Sequence, residues 1–290
     1  MKAVRVHAWG EPPRLEDLPE PQAAPGRSLV RMRAATVGHI DRTVWSGQFL
    51  RHPPLPYVPG VEAAGVVISS ERFAPGTRVW MRGAGLGILR DGTWREVIEV
   101  ADEALGALPE AVPFALGSAF FSPCTSAWVA LHEVGKLQAG ERVLVSGASG
   151  AVGSIAMQLA REAGAQVHAF DASQEAQPEA DLLLDMVGGE VLPRALRGVK
   201  PGGRAVLVGY AGGTETKLEL PELLQRDIAL LPLNIIRREA AARAAAPDLL
   251  KRIADGRLQL AVREFPLAQA HQALQWIATR GHGGRAVLVA

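Results

Sequence analysis

Glycines at 147, 150 and 153 lie between the apolar run Val143-Leu144-Val145 and an alanine-rich stretch, Ser154 to Ala163. A strand that enters a glycine turn and leaves it as a helix has the shape a dinucleotide pyrophosphate requires. Gly147 would form the tight turn, Gly150 would let backbone approach the phosphates, and Gly153 would let helix and strand meet closely. Ser149, Ala151 and Val152 complete the loop, whose N–H groups at the helix start would face the anion. Asp171 follows the next apolar run. A carboxylate there accepts hydrogen bonds from the adenosine ribose and repels a 2′-phosphate, which favours NADH. No Lys or Arg follows in Ala172-Ser173-Gln174-Glu175, and Glu175 adds negative charge. Plainer readings exist: a glycine turn that binds nothing, and an Asp that caps a helix.

The elements that must position these residues can be read around them. From about Phe114, apolar strands are expected at Arg142–Ser146, Gln166–Phe170, Asp181–Met186, Arg204–Val208 and Ile228–Leu233. Helices are expected at Ser154–Ala163, Val191–Val199 and Pro221–Arg226. Apolar strands alternating with helices mean a parallel sheet covered on both faces. Gly188 and Gly209 follow two of these strands beside the crevice where ligands sit in such sheets. They read equally well as ordinary turns. Asn234 follows the last strand, and Tyr210 follows Gly209; both are assigned to the cofactor side. Only Ala172–Ala180 connects the second strand to the third, a segment reaching about 30 Å at full extension. A doubly wound domain normally holds another strand and two helices there, so the sheet should have about five strands and lack one edge.

Residues 1–115 alternate instead like β-strands (Lys2–Trp9, Ser28–Thr36, Gly65–Ser69, Thr77–Met81, Trp94–Val100), separated by Pro- and Gly-rich turns. A compact, partly open barrel is expected. After two helices, Arg237–Ala246 and Pro247–Asp255, the end alternates again, with strands at Leu258–Phe265 and Ala286–Val289 around a helix at Leu267–Thr279. Residues 1–114 and 237–290 are therefore assigned to one domain and 115–236 to the nucleotide-binding one. The glycines at 83, 85 and 87 lack a strand-to-helix context and read as a loop.

Composition narrows the partners. The 290 residues carry 31 basic and 30 acidic side chains, a net charge of +1, so nothing points to nucleic acid or an anionic membrane surface. Hydrophobic content of 48% is that of a globular protein. Neither a signal-peptide core nor a bilayer-length apolar run is visible, and Cys124 is the sole cysteine. A soluble, cytoplasmic protein acting on a small molecule is expected.

Several further segments, in order, resemble the medium-chain dehydrogenase/reductase superfamily in its zinc-free quinone oxidoreductase (zeta-crystallin-like) branch. They are Ala34–Asp41 with Gly47; Pro56-Tyr57-Val58-Pro59-Gly60-Val61-Glu62-Ala63-Ala64-Gly65-Val66-Val67; Gly92-Thr93-Trp94-Arg95-Glu96; and the glycine loop. Asp185-Met186-Val187-Gly188-Gly189, Pro201-Gly202-Gly203-Arg204, Phe265-Pro266-Leu267 and Gly284-Arg285-Ala286-Val287-Leu288 complete the series. The resemblance implies an α/β protein with a GroES-like β-barrel domain and a shortened Rossmann sheet. It also implies an NAD(P)H cofactor, NADPH being common in the branch, and a homodimer paired near Ile228–Leu233.

Zinc-dependent relatives place their ligands where this chain has Gly38, Val61 and Ser122, none of which offers a thiolate or imidazole. No metal is expected. Without a Lewis acid, alcohol oxidation loses its means of lowering the alcohol pKa, whereas hydride transfer to a conjugated carbonyl needs none. Reduction of a quinone or an α,β-unsaturated carbonyl is the activity implied. The alternative is a nucleotide-binding protein with little turnover, a redox sensor or a crystallin-like structural protein. Ser126 aligns with the Thr that meets the nicotinamide carboxamide, or is a helix-terminal Ser. On the substrate side many quinone reductases carry an Asn where this chain has Gly38, and enoyl reductases a Tyr acid where it has Phe49. His39 and Tyr57 remain as donors to a substrate oxygen. Asp41 and Glu62 are retained, each open to a structural role, and Asp185 is either near the nicotinamide or a turn acceptor.

Overall fold

The computed structural model describes residues 1–174, 177–279, 281 and 283–290. Glu175, invoked above for its charge, lies outside the described residues. The first half of the chain forms β1 (Lys2–Arg5), β2 (Arg14–Asp17), β3 (Arg27–Val37), α1 (His39–Trp45), β4 (Glu62–Ser69), β5 (Arg78–Arg82), β6 (Val97–Ala101), β7 (Leu105–Ala107), α2 (Phe114–Ala119) and α3 (Phe121–Trp128). There follow β8 (Arg142–Val145), α4 (Ala151–Glu162), β9 (Gln166–Ala169), β10 (Ala180–Asp185), α5 (Val191–Leu196), β11 (Val199–Leu207), α6 (Leu220–Arg226) and β12 (Ala229–Pro232). The last elements are α7 (Glu239–Ala254), β13 (Val262–Pro266), α8 (Ala270–Ala278) and β14 (Arg285–Val289). Two compact units result: Met1–Phe121 with Leu260–Ala290, and Ser122–Gln259.

In the first unit β3 is the spine. Its N-terminal half pairs antiparallel with β6 and its C-terminal half with β14, while β4 lies along its other side. Beyond β4 come β5 and β7, and β13 runs parallel to β14. The interior holds Met32, Val58, Trp94, Ile98, Leu105, Leu274 and Leu288. Burying each large aliphatic side chain contributes about 1.5–3 kcal/mol. Trp94 is fully buried, and its indole N–H donates to the Thr36 carbonyl at 3.0 Å, so its polar edge costs nothing on burial.

The second unit is a parallel sheet of order β12-β11-β10-β8-β9. Val143, Leu144, Val145 and Leu182–Leu184 are fully buried, as expected of strands covered on both faces. The chain leaves β8 for β9 on one side, then crosses to β10 on the other, so strand order reverses between β8 and β10. The sheet has the five strands expected from the short connection. Gln177 ties back to Asp171 by accepting its N–H at 3.3 Å and donating to its carbonyl at 2.7 Å. Arg194 donates to the Ala172 carbonyl.

Some elements differ from the sequence reading. The helix after the glycine loop starts at Ala151 rather than Ser154, because Gly150 in extended conformation is its N-cap and Gly153 falls inside the first turn. The two helices expected around Pro247 are one, α7. Its buried stripe, Ala242, Ala245, Ala246, Leu249, Leu250 and Ile253, continues at helical spacing through the proline, and packing outweighs the lost backbone bond. That helix belongs with the second unit, not with the barrel as expected. Arg252 pairs with Glu162 of α4 at 2.5 Å, and Gln158 of α4 exchanges hydrogen bonds with the Gln259 backbone at 2.9 and 2.8 Å. The boundaries therefore fall at 121/122 and 259/260 rather than at 114/115 and 236/237.

Candidate functional site

Gly147 adopts φ +64°, a left-handed conformation suited to glycine, and a Cβ on it would meet the Val187 side chain at 3.0 Å. Gly150 N–H donates back to the Gly147 carbonyl at 3.0 Å, closing the turn, and Ser154 N–H donates to the Gly150 carbonyl at 2.9 Å, opening the helix. Gly153 is the tightest position: a Cβ there would lie 2.2 Å from the Gly147 oxygen and 2.9 Å from Ala148 Cα. Ser149 and Gly150 are exposed and Ala151 and Val152 half-buried, so the first turn of the twelve-residue α4 faces outward with its N–H groups uncommitted within the helix.

Gly188, Gly209, Tyr210, Asp171 and Asn234 each follow a parallel strand and so lie along the same edge of the sheet. Gly188 (φ +66°) follows β10, and its backbone bridges to Gly213 in the loop after β11. Gly209 donates to the Asp185 carbonyl at 3.2 Å, and Tyr210 beside it is 62% exposed. Asp171 lies beyond β9, exposed, and no helix follows it among the described residues before β10. Its carboxylate accepts from Ser173 N–H at 2.9 Å, Ser173 Oγ at 2.7 Å and Gln174 Nε2 at 3.2 Å. The Ser173 hydroxyl, followed by the Ser173 N–H, holds the carboxyl below its ordinary pKa. Asn234 is a turn cap, its Oδ1 accepting from Ile236 and Arg237 N–H at 3.0 and 3.2 Å. Ser126 is half-buried in the last turns of α3 rather than at a helix start. Asp185 is fully buried at the end of β10 and bonded to Ser146, a residue that no motif or spacing singles out.

In the first unit, His39 is exposed at the start of α1 and its carbonyl accepts from Thr43 Oγ1 at 2.8 Å. Asp41 is buried. Its Oδ2 accepts from the Gly38 N–H at 2.7 Å, reaching back to the helix N-cap, and its Oδ1 accepts from the Val61 N–H at 3.0 Å. Burial, with the Glu62 carboxylate adding to it, raises Asp41 to about 7 against the opposing pull of Gly38, Val61 and Arg285. Glu62 is 1% exposed and accepts from Arg285 Nη2 at 2.7 Å, with Arg82 Nε 3.3 Å from its other oxygen. Tyr57 is 1% exposed among Val6, Val44 and the half-buried Trp9, Ile40 and Phe49. Its ring lies 5.6 Å from that of Trp9, and its hydroxyl has no hydrogen-bond partner among the described residues. Burial, and secondarily Asp41, keeps that phenol protonated well above the ordinary range.

The structure thus has two units, with a glycine turn between strand and helix in one and a buried polar cluster in the other. The sequence matches the family model described as alcohol dehydrogenase GroES-like domain over residues 24–110. It matches the one described as zinc-binding dehydrogenase over residues 161–288. Quinone oxidoreductase of Mus musculus is 30% identical over 253 residues, covering 74% of this chain and 75% of the mouse protein. The quinone oxidoreductase of Thermus thermophilus, solved also with NADPH, superposes with a TM-score of 0.82 at 29% identity over the whole of both chains. That of Pseudomonas syringae pv. tomato shares the fold at a TM-score of 0.88 and 23% identity, covering 100% of this chain and 99% of the other. The chain belongs to the zeta-crystallin-like quinone oxidoreductase branch of the medium-chain dehydrogenase/reductase superfamily.

One of those family descriptions names zinc, and the residues here do not fit it. Gly38 has no side chain, and the place of its Cβ lies 3.4 Å from both Arg285 Nη1 and Asp41 Oδ2. A guanidinium already stands at that point, paired to Glu62. Val61 is apolar and Ser122 offers a hydroxyl, so the soft donors zinc selects are missing. Among the described residues, no group of three or more His, Cys, Asp or Glu is placed to hold a metal ion. Nor is any described helix long and apolar enough to cross a membrane.

Proposed function

We propose that this protein is a zinc-independent, NAD(P)H-dependent reductase of quinones or α,β-unsaturated carbonyls. The observation that carries the reading is the glycine turn, whose backbone leaves no room for a Cβ at residue 153 and directs the first N–H groups of α4 outward at the carboxyl edge of the sheet. Those N–H groups would receive the pyrophosphate. Asp171, ionised and exposed, would accept from the adenosine ribose hydroxyls and disfavour a 2′-phosphate, so NADH is the preferred form. When bound, the reduced nicotinamide supplies a hydride; Ser126, Gly188, Gly209, Tyr210 and Asn234 are the residues offered to hold that end.

On the substrate side, Tyr57 is the donor for the carbonyl oxygen when the half-buried side chains over it part to admit the ring, since its hydroxyl keeps its proton and has no other partner among the described residues. Trp9, Ile40 and Phe49 supply apolar and aromatic surface suited to a flat conjugated ring. Asp41 acts at one remove by fixing the Gly38 and Val61 backbones, and exposed His39 or solvent returns the proton that follows the hydride. The resemblance to dimeric relatives extends the proposal to a homodimer through the free side of β12. The test is steady-state oxidation of NADH and NADPH against a panel of quinones and enones. Acceptor-dependent turnover with NADH favoured is expected. Saturable cofactor binding without turnover would instead support the non-enzymatic alternative.

A further inference from the structure

Strand order reverses between β8 and β10, and one pair of side chains spans that point. Ser146, the residue after β8, and Asp185, the last of β10, are both fully buried. Ser146 Oγ–H donates to Asp185 Oδ1 and its oxygen accepts from Met186 N–H at 3.0 Å. Asp185 Oδ2 accepts from Gly188 N–H at 2.8 Å, and Oδ1 lies 3.4 Å from Val187 N. The backbone continues the pattern. Ser146 N–H donates to the Leu184 carbonyl at 3.0 Å, and the Asp185 carbonyl accepts from Val208 and Gly209 at 2.8 and 3.2 Å. One carboxylate thus joins the turn after β8, which opens into Gly147, to the turn after β10, which contains Gly188, while its own backbone carries the turn after β11.

A buried carboxylate between apolar strands is costly, and a chain seeking stability alone would be as well served by an apolar pair of similar volume. Its partners here are the Ser146 hydroxyl and the backbones of the turns, not another charge, so what it fixes is their spacing. We infer that Ser146 and Asp185 are positioning residues that set the distance between the two glycine turns, and so select a ligand long enough to engage both, a dinucleotide, over a mononucleotide that reaches one. This rests on the cofactor reading above.

The test compares wild type, Ser146→Ala and Asp185→Asn as full-length protein, titrated with NADH, NADPH and AMP by quenching of tryptophan fluorescence. Asp185→Asn is isosteric but removes the charge, and its N–H₂ must face either the Gly188 N–H or the Ser146 oxygen, which would then turn its own proton away from residue 185. Dinucleotide Kd should rise about tenfold or more, the weight of a hydrogen bond to a charged group, while the Kd for AMP stays unchanged. Hydrogen exchange at the Val187 and Gly188 amides should accelerate in the ligand-free variants. Equal loss for NADH and AMP, or no change for NADH, would overturn the inference while leaving the cofactor reading intact. A wild-type protein that binds neither dinucleotide would overturn both.

Discussion

The hydroxyl of Tyr57 is enclosed by apolar side chains and makes no hydrogen bond within the described structure, a condition few buried polar groups tolerate. Two opposite consequences of removing it can be measured on one variant. Tyr57→Phe should raise stability by about 1 kcal/mol, since an unsatisfied group is deleted, and cut kcat/KM with a quinone by roughly 10–100-fold, since its donor is lost. A stable variant with unchanged kinetics would remove Tyr57 from the mechanism. Asp171 predicts a change of preference: Asp171→Ser should shift the NADH/NADPH ratio of kcat/KM toward NADPH by roughly tenfold. Asp41 predicts a pH profile. Its native value of about 7 lies above the unfolded value of about 3.9, so the native state holds the proton more tightly. Its contribution to stability is whole in acid and is lost as pH rises from about 4 to about 7. Melting temperatures should fall between about pH 4 and pH 7 and level off above, and Asp41→Asn should flatten that fall. These roles were only partly legible in the sequence. Asp41 and Tyr57 were recognisable as polar residues in a familiar segment, but an orphaned hydroxyl and an Arg285 partner for Glu62 arise from contacts between distant segments that no local pattern encodes.

At the scale of elements, the strand, glycine turn and helix around residues 143–162 were legible because backbone geometry there dictates residue type. Gly153→Ala would drive a methyl against the Gly147 carbonyl. It should destabilise the protein by about 1–3 kcal/mol and abolish measurable NADH binding in a fluorescence titration. Retained binding would show that the turn is not the phosphate site. The five-strand sheet was legible from the shortness of the segment after Asp171, a geometric limit rather than a propensity. The continuous α7 was not, because Pro247 carries a strong local signal and the buried stripe that overrides it has meaning only against distant parts of its own unit, such as residues 129–134. Short elements such as α1 and β2 escaped for a related reason: seven or four residues carry too little periodicity to stand out.

For the whole molecule, β12 and β9 are the two ends of the parallel sheet. The helix that precedes β12, α6, packs on β11 and buries none of its residues, and Leu220 and Leu224 are 65% and 79% exposed. Sedimentation should find a homodimer, and Leu224→Asp should shift it toward monomer without altering the monomer's fold; an unaffected dimer would place the interface elsewhere. The division of the chain has a further consequence, for the order of assembly. The second unit is one uninterrupted stretch, whereas the first needs β14 to pair with β3, bringing Leu288 beside Ala35. Contacts this remote in sequence form late, after loop closure has been overcome. Glu62 and Arg285 are 223 residues apart, so the ion pair beside Gly38 and Asp41 is completed only when the last strand docks. During synthesis the second unit can therefore fold before the first, and the Glu62–Arg285 pair forms only after β14 has docked.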